Sequence, residues 1–162
     1  MRVRTGPTSR RPLDATPAVE ATQAVPAYGT WGRHVVGAFF LTMGGVHLGI
    51  VAADTSVYQH FGDTGLFRFV RDGWQTVFMA HPAIWGLCLM VGEVSLGALL
   101  LAGGRATLVG WVGVAAFHVL LMLFGFGFWV WSVPVLLVLP ILARGDVERA
   151  RHLPAAHRSR PV

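Results

Sequence analysis

Apolar residues run along this chain in long, almost uncharged blocks. Residues 34–53 contain no Asp, Glu, Lys or Arg, residues 106–143 contain none, and residues 73–104 contain one, Glu93. A membrane span needs roughly 20 mainly apolar residues, because about 30 Å of hydrocarbon is crossed at about 1.5 Å per residue. All three blocks reach that length. The block 106–143 would extend roughly 57 Å as one helix, so it must fold back. The segment Phe124-Gly125-Phe126-Gly127-Phe128 supplies the turn. Its glycines break a helix, and its aromatic rings, with Trp129 and Trp131, suit the membrane interface. The pattern therefore predicts four spans, at about 34–53, 82–103, 106–124 and 128–143. The last is short, carries Pro134 and Pro140, and admits a kinked or partly re-entrant course.

Helical spacing sorts the faces of these spans. Gly37, Phe40, Gly44, His47 and Val51 recur at three- and four-residue steps, so they share one face. Gly86, Met90, Glu93 and Gly97 do the same in the second span, which opens on Pro82, a residue suited to a first helical turn. Small residues let helices approach closely in lipid, so both faces are expected to pack inward. Between these spans, Leu66, Val70, Trp74, Val77 and Phe78 fall opposite Arg68, Arg71 and Asp72. That predicts a surface amphipathic helix in the connector 54–80. The fold class expected is an all-α membrane protein, an antiparallel four-transmembrane-helix bundle.

Composition agrees with a membrane class. Hydrophobic residues make up 54% and charged residues 13%, against about 25% charged in soluble domains. The charges sit at the ends. Eleven of the 13 basic residues, all arginines, fall in the two tails or in the link that holds Arg105, and Arg68 and Arg71 fall in the connector. The positive-inside rule then places both termini in the cytoplasm of a cell membrane, which requires an even number of spans. The same distribution reads as a topology signal and not as a nucleic-acid surface. Residues 1–33 are expected to be a disordered cytoplasmic tail, 34–146 the transmembrane domain, and 147–162 a basic cytoplasmic tail. The first apolar run lacks a short h-region with a cleavage site and reads as a retained helix. The single cysteine, Cys88, makes no motif and is expected to pack as a small apolar residue.

Three ionisable side chains lie inside the spans: His47, Glu93 and His118. Their depths agree to within about 10 Å. A carboxylate facing lipid would cost roughly 2.5–3.5 kcal/mol, so Glu93 should face the interior and be protonated or paired. Together the three are the candidate catalytic set, an intramembrane site for proton transfer or for the head of a lipophilic substrate. The plainer alternative is that Glu93 accepts hydrogen bonds and pins helix packing. The three come from different spans with no local ligand pair, so spacing gives no support to a metal site, and none is predicted. Haem ligation by His47 and His118 has only their shared depth in its favour. His60, Asp63 and His81 are read as ordinary polarity at the outer mouth.

The pattern resembles the DoxX-like family of small four-helix bacterial membrane proteins. FLTMGGVHLG at residues 40–49 is like that family's FLxxGxxKL pattern. GEVSLGALLLAGGRATLVG at 92–110 is like its ELxxGLLLLxG stretch with a basic link, and ILARGD at 141–146 resembles its end. Glu93 then matches the family's acidic position and Gly97 the glycine after it, while His47 stands where the family often has Lys. The family takes its name from a subunit associated with thiosulfate:quinone oxidoreduction. The resemblance implies a subunit or anchor of a quinone-linked membrane redox complex. Its partners would be the bilayer and a second protein or another copy of the chain, with quinone the one cofactor suggested. A small acid/base enzyme on a lipophilic substrate and a scaffold without catalysis stay open. Few polar residues besides Thr42, Ser95 and Thr107 line the spans, which argues against bulk ion flux.

Overall fold

The computed structural model describes residues 28–152. Of the tails predicted over 1–33 and 147–162, residues 1–27 and 153–162 lie outside the described residues. Every regular element among the described residues is helical: α1 (Tyr28–Ala53), α2 (Arg68–Gly73), α3 (Pro82–Ala102), α4 (Gly104–Leu121) and α5 (Phe126–His152), with three short turns between them. Four stretches are long and apolar enough to cross a membrane: Trp31–Ala53, Pro82–Ala102, Gly104–Phe124 and Phe126–Arg151. This is the make-up of a multi-pass membrane protein. The outer faces agree, since Val112, Val130, Leu137 and Ile141 are each 66–71% exposed. Rows of exposed apolar side chains suit hydrocarbon and would be a liability in water.

The helices close a ring in which α1 and α4 each touch α3 and α5. The widest contact is between α1 and α3, and glycines allow it. A methyl group at Gly97 would stand 2.8 Å from the Gly37 carbonyl oxygen, and one at Gly44 would stand 3.1 Å from that of Met90. The two glycine faces read from the sequence therefore meet each other. Phe40, Leu100, Trp111, Val114 and Leu139 fill the centre of the ring.

The chain turns where backbone freedom permits. Gly103 and Gly104, with φ of 81° and 61°, separate α3 from α4. Gly125, with φ of 111°, separates α4 from α5. It also lies directly against the Thr64 carbonyl, so a side chain there would collide with the connector. The break between the last two spans predicted at 124–128 is found at this glycine.

Two boundaries differ from the sequence expectation. α1 begins at Tyr28 and not near residue 34, and α5 runs unbroken to His152 and not to 143. Both Pro134 and Pro140 sit inside that continuous helix. The apolar run of α5 stops at Ala143, but the helix does not, because its next turns are tied to the bundle. Buried Asp146 accepts a hydrogen bond from Trp111 Nε1 on α4 at 3.1 Å. It also pairs with Arg33 of α1 and with Arg149, each at 3.6 Å. Charge ended the span in the sequence pattern, while this cluster carries the helix onward.

The connector is helical in pieces. Asp54 accepts hydrogen bonds from the Ser56 amide and hydroxyl, at 2.8 and 2.7 Å, and so caps the turn Thr55–Tyr58. Those two bonds hold the Asp54 carboxyl below its usual range. α2 runs on into a widened π turn, Trp74–Phe78. Leu66 and Val77, expected on one apolar face with Trp74 and Phe78, are exposed, whereas Phe78 is buried and stacks on Trp74 at 3.8 Å. Thr64 Oγ1 donates to the Phe124 carbonyl at 2.7 Å, and the Leu66 amide donates to that of Leu123 at 2.9 Å. The connector is thereby fastened across the far end of the ring.

Candidate functional site

Beneath the connector, the ring encloses a cavity of about 390 Å³. Its wall is almost wholly apolar and aromatic, contributed by α1, α3, α4, α5 and the connector. Glu93, His47, His118 and Tyr58 are the titratable side chains on it. All three intramembrane residues singled out from the sequence therefore line one space. Equal depth placed them at one level, and the facing of α1, α3 and α4 turned them inward.

Glu93 is buried on α3, with 3% of its surface exposed. Its Oε1 lies 3.5 Å from His47 Nε2. Its Oε2 is buried and has no hydrogen-bond partner. A buried, unpaired polar oxygen is costly, on the order of 1–3 kcal/mol or more for a charged group. Packing alone has no use for that cost.

His47 is held from both ends. Its Nδ1 is 2.7 Å from Tyr58 Oη, and the two rings stack with centroids 5.7 Å apart. Tyr58 is 1% exposed and sits at the end of the turn capped by Asp54. Trp74 Nε1 donates to its carbonyl at 2.8 Å, fixing it from the π turn. Gly86 leaves room for it: a methyl there would stand 3.0 Å from Tyr58 Oη. Burial pushes the Tyr58 phenol pKa up, and the negative charge of Glu93 pushes it further.

His118 does not bond to Glu93 or His47. Its Nδ1 donates to the Val114 carbonyl on its own helix at 2.9 Å, because a carbonyl can only accept. Phe40 and Phe117 meet its ring edge to face, with centroids 6.1 and 5.6 Å away. In the neutral ring Nε2 is then a bare acceptor on a side chain that lines the cavity.

The cavity has a side opening. α1 and α5 meet at Gly32 with Leu142 and at Phe39 with Trp131. Nearer the connector, Val46 of α1 and Trp131 of α5 line the cavity while 44% and 53% exposed. The cavity is open to the surroundings of the ring at these two side chains.

The remaining candidates fall elsewhere. His60 Nδ1 pairs with Asp63 at 2.9 Å on an exposed stretch, and no hydrogen bond or ion pair among the described residues joins His81 to them. Cys88, expected to pack, is exposed on α3. Among the described residues, no three His, Cys, Asp or Glu side chains are grouped to hold a metal ion. Sequence reasoning missed Tyr58 and the aromatic lid of Phe61, Trp74 and Phe124. One signal was available: Asp54 and Ser56 directly after an apolar run mark a capped turn, which pins Tyr58 close to the end of α1 and so to His47.

Comparison with family models, curated proteins and solved structures finds no match to this chain.

Proposed function

We propose that this chain is a DoxX-like integral membrane protein that holds the head group of a quinone-class lipophile in the cavity beneath its connector. It acts as the quinone-binding subunit or anchor of a membrane redox complex. The observation that carries this reading is an apolar cavity lined by Glu93, whose carboxyl is buried with one oxygen unpartnered. Ligand sites commonly span about 300–1,000 Å³ and combine apolar walls with a few convergent polar groups. A cavity of about 390 Å³ takes one substituted ring. The side opening at Val46 and Trp131 lets an apolar tail extend into the bilayer.

The arrangement proposed is an antiparallel bundle in a cell membrane, with both termini cytoplasmic and the connector on the outer surface. The exposed residues Leu66, Phe67, Phe69 and Val77 then rest in the interface. His47, Tyr58 and Glu93 supply a place to hold and move a proton as the head group changes oxidation state. Electrons pass to a carrier on a partner subunit. Bulk ion transport is disfavoured, because Thr42, Ser95 and Thr107 each donate to a backbone carbonyl and offer no continuous polar path.

Two other readings keep the same cavity. A lone acid/base enzyme would use Glu93 and His47 on a bound lipophile without a partner. A scaffold would have no use for the unpaired oxygen. Solvent extraction of the detergent-purified protein separates them. Quinone recovered from the wild type and absent from Glu93→Gln supports the proposal. A wild type with no extractable lipophile supports the scaffold.

A further inference from the structure

The end of the ring opposite the connector gathers more positive charge than the protein neutralises. Three contacts bring its elements together. Arg33 of α1 lies 3.6 Å from Asp146 of α5, and Asp146 accepts from Trp111 of α4. A methyl group at Gly103, in the link between α3 and α4, would stand 3.6 Å from Arg33 Nη1. Arg33 and Arg149 share one oxygen, Asp146 Oδ1, each at 3.6 Å, too long for a hydrogen bond. The other Asp146 oxygen is taken by the Trp111 indole. A guanidinium offers five N–H donors in a fixed fork. Among the described residues, neither Arg33 nor Arg149 has a further partner to accept them. Arg105, two residues past Gly103, and Arg144 are exposed and make no ion pair or hydrogen bond to a described residue. The exposed acid nearby in sequence, Glu148, pairs with none of them among the described residues.

This end also lies where the apolar stretches stop. Trp31 opens the first, Ala102 and Gly104 flank the link, and the uncharged run of α5 ends at Ala143. In a bilayer that level meets the lipid phosphates, where basic clusters between helices attract anionic head groups. The Arg33 and Arg149 side chains are 19% and 37% exposed, so both can be approached from the surface. A phosphate offers the paired oxygens that a guanidinium fork fits. A zwitterionic head group brings its own cation and leaves the arginine excess in place, whereas an anionic one offsets it. We infer that this joint binds the head group of an anionic phospholipid. Its phosphate sits against Arg33 and Arg149, with Arg105 at the edge, and so ties α1 and α5 to the α3–α4 link. The inference does not depend on what fills the cavity.

The test is thermal unfolding of the detergent-purified full chain in micelles doped with dioleoyl phosphatidylglycerol or with dioleoyl phosphatidylcholine. The wild-type midpoint should rise by at least about 4 °C with saturating phosphatidylglycerol. Phosphatidylcholine should give less than half that rise. Arg105→Gln/Arg149→Gln should lose most of the phosphatidylglycerol response, while Arg68→Gln, in the connector, should keep it. If the double variant does not fold, Arg105→Gln alone decides, since Arg105 has no contact to lose and the response should still fall. An equal rise with both lipids, or a response undiminished in the arginine variants, overturns the inference. So does a rise of the same size with inorganic phosphate alone, which would mark a phosphate site that needs no lipid.

Discussion

At the scale of single residues, the site is a chain of dependencies that ends on Glu93. Asp54 caps a turn, the turn presents Tyr58, Tyr58 holds His47, and His47 meets one oxygen of Glu93. Equal depth along three helices made His47, Glu93 and His118 legible in the sequence as one level, but not which histidine meets Glu93. Tyr58 was not legible, because its place depends on how a connector folds back over helix ends, and periodicity carries no such information. Its chemistry gives a clear prediction. A phenol whose pKa is raised by folding favours the folded chain while it keeps its proton. That contribution is complete below pH about 10 and is lost as pH rises through the raised value. Thermal unfolding followed from pH about 8 to about 11 should therefore show an alkaline loss of stability. Tyr58→Phe should remove this loss, at a cost near neutral pH of about 1 kcal/mol for the bond to His47.

Among the elements, two interfaces organise the ring. α1 against α3 depends on glycine contact at Gly37 and Gly97, and both glycines were readable from their spacing. The tail-side joint of α1, α4 and α5 depends on Asp146, the last residue of the transmembrane domain expected from the sequence, which gave it no role of its own. Hydropathy marks where lipid ends; it does not mark where a helix ends when a buried charge cluster continues it. Asp146→Ala would leave Arg33 and the Trp111 indole without their shared acceptor. Because the arginines keep partial contact with solvent, the loss should be about 3 kcal/mol, at the low end for breaking a buried pair. Denaturation of the variant in detergent checks this, and an unchanged midpoint would remove the cluster from the account of α5.

For the molecule as a whole, arginine distribution and helix count have to agree. In the antiparallel arrangement proposed, the four candidate spans would put both arginine-rich ends on one side and the connector on the other. In a Cys88→Ser background, a cysteine at Gln59 should react with a membrane-impermeant maleimide in intact cells. A cysteine at Arg144 should react only after the membrane is opened. The opposite pattern would invert the orientation and place the cavity at the cytoplasmic face. The cavity itself could not be seen in the sequence. Its wall is drawn from four helices and the connector, and how these face one another is a property of packing and not of any one span.

The central claim is that Glu93 is kept for a ligand and not for packing, and thermal unfolding of the purified protein tests it most directly. Wild type and Glu93→Gln are each measured empty and with a decyl-substituted benzoquinone at about a hundredfold over its wild-type Kd. The account predicts that the wild-type midpoint rises by roughly 5–10 °C with ligand. It also predicts that the variant does not respond and that the empty variant is at least as stable as the empty wild type, since it no longer buries an unpaired carboxyl oxygen. An empty variant several degrees less stable, with no ligand response in either protein, would contradict the claim and assign Glu93 to packing.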